Sequence, residues 1–175
     1  DRPMSNQPAV IVLNEGALPV ATQIAEIVGG TIHGHVKRVG RADVTPFDDV
    51  RAHIQALFLD GTPIIGVMAS GALIRLLAPL LQDKQSEPPV LAMSEDGSSI
   101  VPLLGGHHGA NDLARELAQA LSGFAVVTTA GDVKFGVALD EPPAGYKLAN
   151  PGTAKTVMAD LVAGENAKLE GNAPW

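Results

Sequence analysis

Ala9-Val10-Ile11-Val12-Leu13 is an unbroken apolar run. A strand with one wet face shows a polar residue at every second position, so a run without them belongs to a strand buried on both faces, as in a parallel sheet covered by helices. The following segment, Gly16 to Val28, sets Val20, Ile24, Ile27 and Val28 at helical spacing, and the chain therefore opens as strand then helix. The same unit recurs outward from there. Thr31 to Val36 reads as a second strand. After a polar loop, Phe47 to Leu59 carries Val50, Ile54, Leu57 and Phe58 on one helical face and stops at Gly61. Pro63-Ile64-Ile65-Gly66-Val67-Met68 is the next buried strand. Ser70-Gly71 leads into a helix through Leu73, Ile74, Leu76, Leu77 and Leu80, which Pro79 shortens or bends.

Val90 to Met93 and Ser99 to Leu103 flank Glu95-Asp96-Gly97, and the Asp-Gly pair suits a hairpin that interrupts strict strand-helix alternation. A helix over Ala110 to Leu121 and a strand over Phe124 to Thr128 follow, and the core is expected to close near Thr129-Ala130-Gly131-Asp132. The expected fold is an α/β, three-layer α/β/α domain with a mostly parallel sheet over residues 1–133. Residues 134–175 are expected to hold a linker at Glu141-Pro142-Pro143-Ala144-Gly145 and a short helix from Pro151 to Val162.

The 175 residues are 46% hydrophobic, ample for one core. No apolar run reaches membrane-spanning length, and no basic, apolar, small-residue leader opens the chain, so a cytoplasmic location without a membrane partner is expected. The absence of cysteine excludes disulfides, thiolate metal sites and cysteine nucleophiles. A net charge of −7, no basic cluster and 3% aromatic residues argue against nucleic acid as a partner.

Leu104-Gly105-Gly106-His107-His108-Gly109-Ala110-Asn111-Asp112 brings three glycines, two imidazoles and a helix start into nine residues. Gly105, Gly106 and Gly109 allow close backbone approach to a ligand, and the first amides of a helix favour carboxylate or phosphate. His107 or His108 supplies a proton-transfer group near neutral pH, the other packing or bonding to backbone. In the bland reading the whole run is a structural turn, with Asn111 or Asp112 assisting the helix start.

Ser70 and Gly71 join a strand to a helix, where the hydroxyl either caps the helix or contacts an anion. Arg75, one turn on, is either a snorkelling surface residue or a carboxylate contact at the same mouth as Ser70. Thr128, Thr129 and Asp132 follow a strand and either orient a ligand or form a turn. His33 and His35 alternate about Gly34, but two imidazoles make an incomplete metal site, and no metal site is expected. His53 beside Arg51 and Gln55 is expected on an exposed helix face. A nucleotide-binding role finds neither Gly-x-Gly-x-x-Gly nor a P-loop Lys-Ser/Thr pair.

Ser70 to Lys84, Glu87-Pro88-Pro89-Val90, Glu95-Asp96-Gly97, Leu103 to Leu113 and Thr128 to Asp132, in that order, resemble the N-terminal region of the cobalt-precorrin-5A hydrolases of cobalamin biosynthesis. The resemblance is concentrated over Pro63 to Asp132 and continues through Phe135-Gly136-Val137-Ala138-Leu139-Asp140. Leu169 to Trp175 resembles the joint of a fusion with a precorrin-3B C(17)-methyltransferase, which makes the chain a fragment of such a fusion.

This resemblance implies opening of a ring-A lactone of a cobalt-corrinoid with loss of acetaldehyde. His107 or His108 would be the base and the amides of Gly106 to Ala110 the oxyanion donors, with Ser70 and Arg75 contacting carboxylates. Gly71, Gly105, Asn111, Thr128, Thr129 and Asp132 join the implied substrate contacts. The alternative is a non-catalytic tetrapyrrole-holding module feeding a fused methyltransferase. No cofactor is expected on the chain itself, cobalt being carried by the substrate. A tetrapyrrole, the fused methyltransferase domain and a homodimer mate are the expected partners.

Overall fold

The computed structural model describes residues 6–135, 142 and 145–172, and the chain divides into two units, 2–126 and 127–175. In the first unit the elements run β1 (Ala9–Val12), α1 (Leu18–Val28), β2 (Thr31–His35), β3 (Val44–Phe47), α2 (Val50–Leu59), β4 (Ile64–Val67), α3 (Ser70–Leu77), β5 (Val90–Met93), β6 (Ser99–Leu104), α4 (Ala110–Leu121) and β7 (Phe124–Ala125). One sheet holds all seven strands in the order β3-β2-β1-β4-β5-β6-β7. The pairings among β1 to β5 are parallel. β6 returns antiparallel to β5, and β7 runs parallel to β6.

The apolar run at β1 sits at the centre of this sheet, and its side chains serve two cores. Val10 and Val12 pack with Ala21 and Ile24 of α1 and Ala114 and Leu117 of α4. Ala9 and Ile11 pack with Ile54 and Phe58 of α2 and Leu73 and Leu77 of α3. Period-two side chains on strands met on each side by helices give the expected three-layer α/β/α architecture. Ile11, Ile24, Ile54, Ile65, Leu77 and Leu117 are fully buried, each contributing about 1.5–3 kcal/mol from transfer out of water.

Two elements differ from the sequence expectation. Phe47 ends strand β3 and does not begin a helix. This strand lies at the sheet edge, where Pro46 costs no central ladder bond. The last strand covers only Phe124–Ala125, not Phe124 to Thr128.

The expected hairpin forms at Ser94 to Ser99. Gly97 N donates to Ser94 O at 3.0 Å, and one Asp96 carboxylate oxygen accepts from Ser94 Oγ, Ser98 Oγ and Ser98 N. Those donors, the Ser94 hydroxyl foremost, hold the Asp96 carboxyl down at about 2.

α2 begins at Asp49, whose carboxylate accepts from Ala52 N at 3.1 Å. Asp49→Ala removes the partner of one orphan amide and is expected to cost about 1 kcal/mol. A thermal melt with an unchanged midpoint would refute that capping role.

The second unit contains α5 (Ala130–Phe135) and α6 (Pro151–Ala163), the latter close to the expected Pro151 to Val162 helix. Lys134 Nζ donates to Leu161 O and Val162 O, placing a cation on the final carbonyls of α6. Of the expected linker, only Pro142 and Gly145 are described, and Gly136 to Asp140 and Ala173 to Trp175 lie outside the described residues. No helix among the described residues is long and apolar enough to cross a membrane.

Candidate functional site

The direction of β6 decides where the candidate residues stand. Leu104, its last residue, pairs with Val90, the first residue of β5, which in turn pairs with Ile64, the first residue of β4. The glycine-histidine loop therefore leaves the sheet at the rim where the parallel strands begin. Ser70 and Gly71 follow the end of β4, on the opposite rim. The four residues of β4 put about 10 Å of strand between the two levels. Gly105, Gly106, His107, His108, Gly109 and Asn111 are thus one group, and Ser70, Gly71 and Arg75 another. Crevices at the carboxyl ends of parallel strands are the usual α/β ligand position, and it is the Ser70 group that occupies that rim.

The loop is a 3-10 turn, Gly106–His108, between two left-handed glycines, Gly105 at φ 68° and Gly109 at φ 108°. Gly105 also lies against the backbone of Pro88 and Pro89, where a Cβ would meet Pro88 O at 2.6 Å. Both its dihedral and its surroundings require glycine. Gly106 packs on the side chain of Asn111, which is buried on the first turn of α4. Gly109 holds the cap position of α4, so neither Asn111 nor Asp112 caps the helix.

Both histidines are exposed, and they differ in their anchoring. His108 Nδ1 lies 2.7 Å from Glu87 O. A carbonyl only accepts, so Nδ1 carries the hydrogen and Nε2 keeps the lone pair that a general base needs.

At the other rim, Ser70 does not cap α3. Ala69 takes the cap position without a side-chain bond, and Ser70 is the first helical residue. The Arg75 guanidinium folds back along the helix over Gly71, where a Cβ would meet Nη1 at 3.0 Å. It is exposed and directed to the end of α3 that carries Ser70.

Sequence reasoning missed Asn14 and Glu95 at this rim. Asn14 Nδ2 donates to Glu95 Oε1 at 3.1 Å. These residues follow β1 and β5, which flank β4, so the bond arches over the end of β4 that leads to Ser70. Glu95 stands beside a hairpin signal, and nothing local marks it as a partner of Asn14. In the second unit, Thr128 and Thr129 precede α5, with Val133 N donating to Thr129 O at 3.0 Å. The side chain of Asp132 lies outside the described residues.

A second cluster overturns the exposed reading of His53. Its Nε2 lies 2.8 Å from Nδ1 of His33, whose own Nε2 is 2.9 Å from Thr31 Oγ1. The His53 ring stacks on Phe47 with centroids 4.8 Å apart. His33 is buried, and desolvation, aided by the neighbouring His53, lowers its pKa to about 4. Desolvation also lowers that of His53. The signal was present, since His53 falls three residues after Val50 and four before Leu57 on the apolar stripe of α2. No group of three or more His, Asp or Glu suited to a metal ion occurs among the described residues.

Comparison with known proteins places this geometry in context. Residues 52–132 match the family described as cobalamin synthesis G N-terminal. Over 92 residues the chain is 38% identical to a cobalt-precorrin-5A hydrolase of Priestia megaterium, covering 52% of this chain and 25% of that protein. Over 134 residues it is 37% identical to a cobalt-precorrin-5A hydrolase of Salmonella typhimurium, covering 75% of this chain and 38% of that one. The fold is similar to the crystal structure of a cobalamin biosynthesis protein G homolog from Sulfolobus solfataricus. That likeness has a TM-score of 0.53 at 20% identity, over 96% of this chain and 51% of the other. The chain thus spans well under half the length of the curated relatives it matches.

Proposed function

We propose, from the premise that this chain carries an N-terminal cobalt-precorrin-5A hydrolase region, that it acts in cobalamin biosynthesis as part of such a hydrolase, binding a tetrapyrrole and contributing to ring-A lactone opening with release of acetaldehyde. The observation that carries this reading is the family match over residues 52–132, which contains every residue singled out from Ser70 to Asp132.

Water adds to the lactone carbonyl carbon, the lactone C–O bond breaks, and the departing oxygen takes up a proton to become a hydroxyl on the two-carbon unit. That hydroxyl then gives up its proton and becomes the carbonyl of acetaldehyde as the C–C bond to the macrocycle breaks, the bonding pair remaining on the macrocycle and taking up a proton. Overall one water is consumed for each acetaldehyde released. His108 is the proposed base, because its ring is oriented and its Nε2 lone pair is available. Amides of Gly106 to Ala110 are the proposed donors to the developing oxyanion. Ser70, Gly71 and Arg75 are proposed to contact a substrate carboxylate at their own rim, and Thr128, Thr129 and Asp132 remain proposed contacts of the second unit. Cobalt enters as part of the substrate, the reaction is cytoplasmic, and the Leu169 to Trp175 stretch continues into a methyltransferase.

Titration with cobalt-precorrin-5A, following the corrinoid spectrum and assaying acetaldehyde in the same samples, tests the reading. Saturable spectral change with stoichiometric acetaldehyde is the expected result. Binding without acetaldehyde would reduce the chain to a holding module, and no binding would refute the proposal.

A further inference from the structure

The geometry points to a second binding site, for a carboxylate, in the cleft beyond the carboxyl ends of β1, β2 and β3. This cleft measures about 500 Å³ and is lined by Leu13, His35, Arg38, Asp48, Asp49 and Val50. Its volume lies in the range of small-molecule sites, and it opens at the rim where parallel sheets bind ligands.

The lining groups select the ligand. Arg38 is exposed, and its guanidinium makes no hydrogen bond or ion pair among the described residues, leaving its planar donor fork open to a carboxylate. His35 accepts from Lys37 N at Nδ1, at 3.2 Å, so in the neutral ring Nε2 carries the hydrogen and is a donor. The Asp49 carboxylate is turned back to Ala52 N as the cap of α2 and is committed there. Asp48 is a second acid on the wall, its carboxylate without a hydrogen bond or ion pair among the described residues. One guanidinium and one imidazole N–H face the carboxylates of Asp48 and Asp49, which limits the site to a single ligand carboxylate, held by Arg38 and weakened by the two aspartates.

In the setting of the proposed function, the occupant is a carboxylate side chain of the tetrapyrrole. This identification rests on that reading, whereas carboxylate binding itself does not. None of these six residues stands out in the sequence as a contact for an organic ligand.

Succinate is the probe, followed by the ring resonances of His35 in NMR spectra of the full chain. Saturable shifts are expected in the parent protein. Arg38→Gln should weaken binding about fivefold, the size expected of an exposed ion pair, and Asp48→Asn should tighten it about two- to threefold. Both positions are exposed, so each variant should keep the parent melting curve. Absence of saturable shifts in the parent, or equal affinity in parent and Arg38→Gln, would overturn the site. A chain that takes up succinate with this charge dependence yet ignores cobalt-precorrin-5A would keep the site and refute the proposed function. Weaker corrinoid binding by Arg38→Gln would join the two.

Discussion

Replacing His108 by alanine is expected to slow acetaldehyde release by about a hundred- to ten-thousand-fold, the range that a positioned general base supplies. The expectation rests on orientation. His108 is tied through Nδ1 to the carbonyl of Glu87, just before the Pro88-Pro89 step against which Gly105 packs. The ring is thereby fixed relative to β5 as well as to its own loop, and the loop amides beside it need not move to meet an oxyanion. His107→Ala in the same turn should cost less than tenfold in rate. Corrinoid binding measured on both variants separates chemistry from affinity, because loss of the base lowers turnover while leaving the spectral titration near its parent midpoint. A His108→Ala chain that turns over at the parent rate would remove this residue from the mechanism.

Acid should destabilise the protein well before its carboxylates titrate. His33 has a pKa near 4 in the fold and near 6.5 in an unfolded chain. The unfolded state therefore binds the proton more tightly, and the stabilisation is complete above pH 6.5 and lost as pH falls toward 4. The total is about 3 kcal/mol, of which about 2 kcal/mol is gone by pH 5. His53, lowered in the same direction, adds to the loss. The geometry accommodates one added proton, since an imidazolium at His53 can donate through Nε2 to His33 Nδ1. A second proton sets two N–H groups against each other across 2.8 Å. Urea unfolding at pH 7 and pH 5 measures the difference, and His33→Asn should flatten the dependence between them. A parent protein equally stable at both values would refute the account. His53→Asn gives an independent check if the first variant folds poorly.

The long apolar runs were legible because a strand covered on both sides has no other composition open to it, and β1, β4 and β5 needed no tertiary information. β3 was hidden by Pro46, which argues against a strand unless the strand is known to be an edge. The glycine-histidine loop was recognisable, and so was the hairpin before it. Their joint consequence, that reversing β6 delivers the loop to the rim opposite Ser70, needed the pairing register. His53 shows a different loss. Polar neighbours Arg51 and Gln55 coloured the reading of a residue that helical phase puts inward, and Gln55 itself donates to Leu76 O of α3. The Asn14–Glu95 bond joins residues 81 apart, a separation at which local pattern carries no information.

The central place of β1 in the sheet has a consequence for the ribosome. Its first neighbour, β2, ends at His35, but its second, β4, ends only at Val67. At about 5–20 residues per second, the most apolar strand of the nascent chain waits roughly 2–6 seconds with one edge unpaired. That interval is when the emerging polypeptide is most open to a trigger-type chaperone or to pairing with another nascent copy, and slower translation of codons 36–67 should lower the soluble yield.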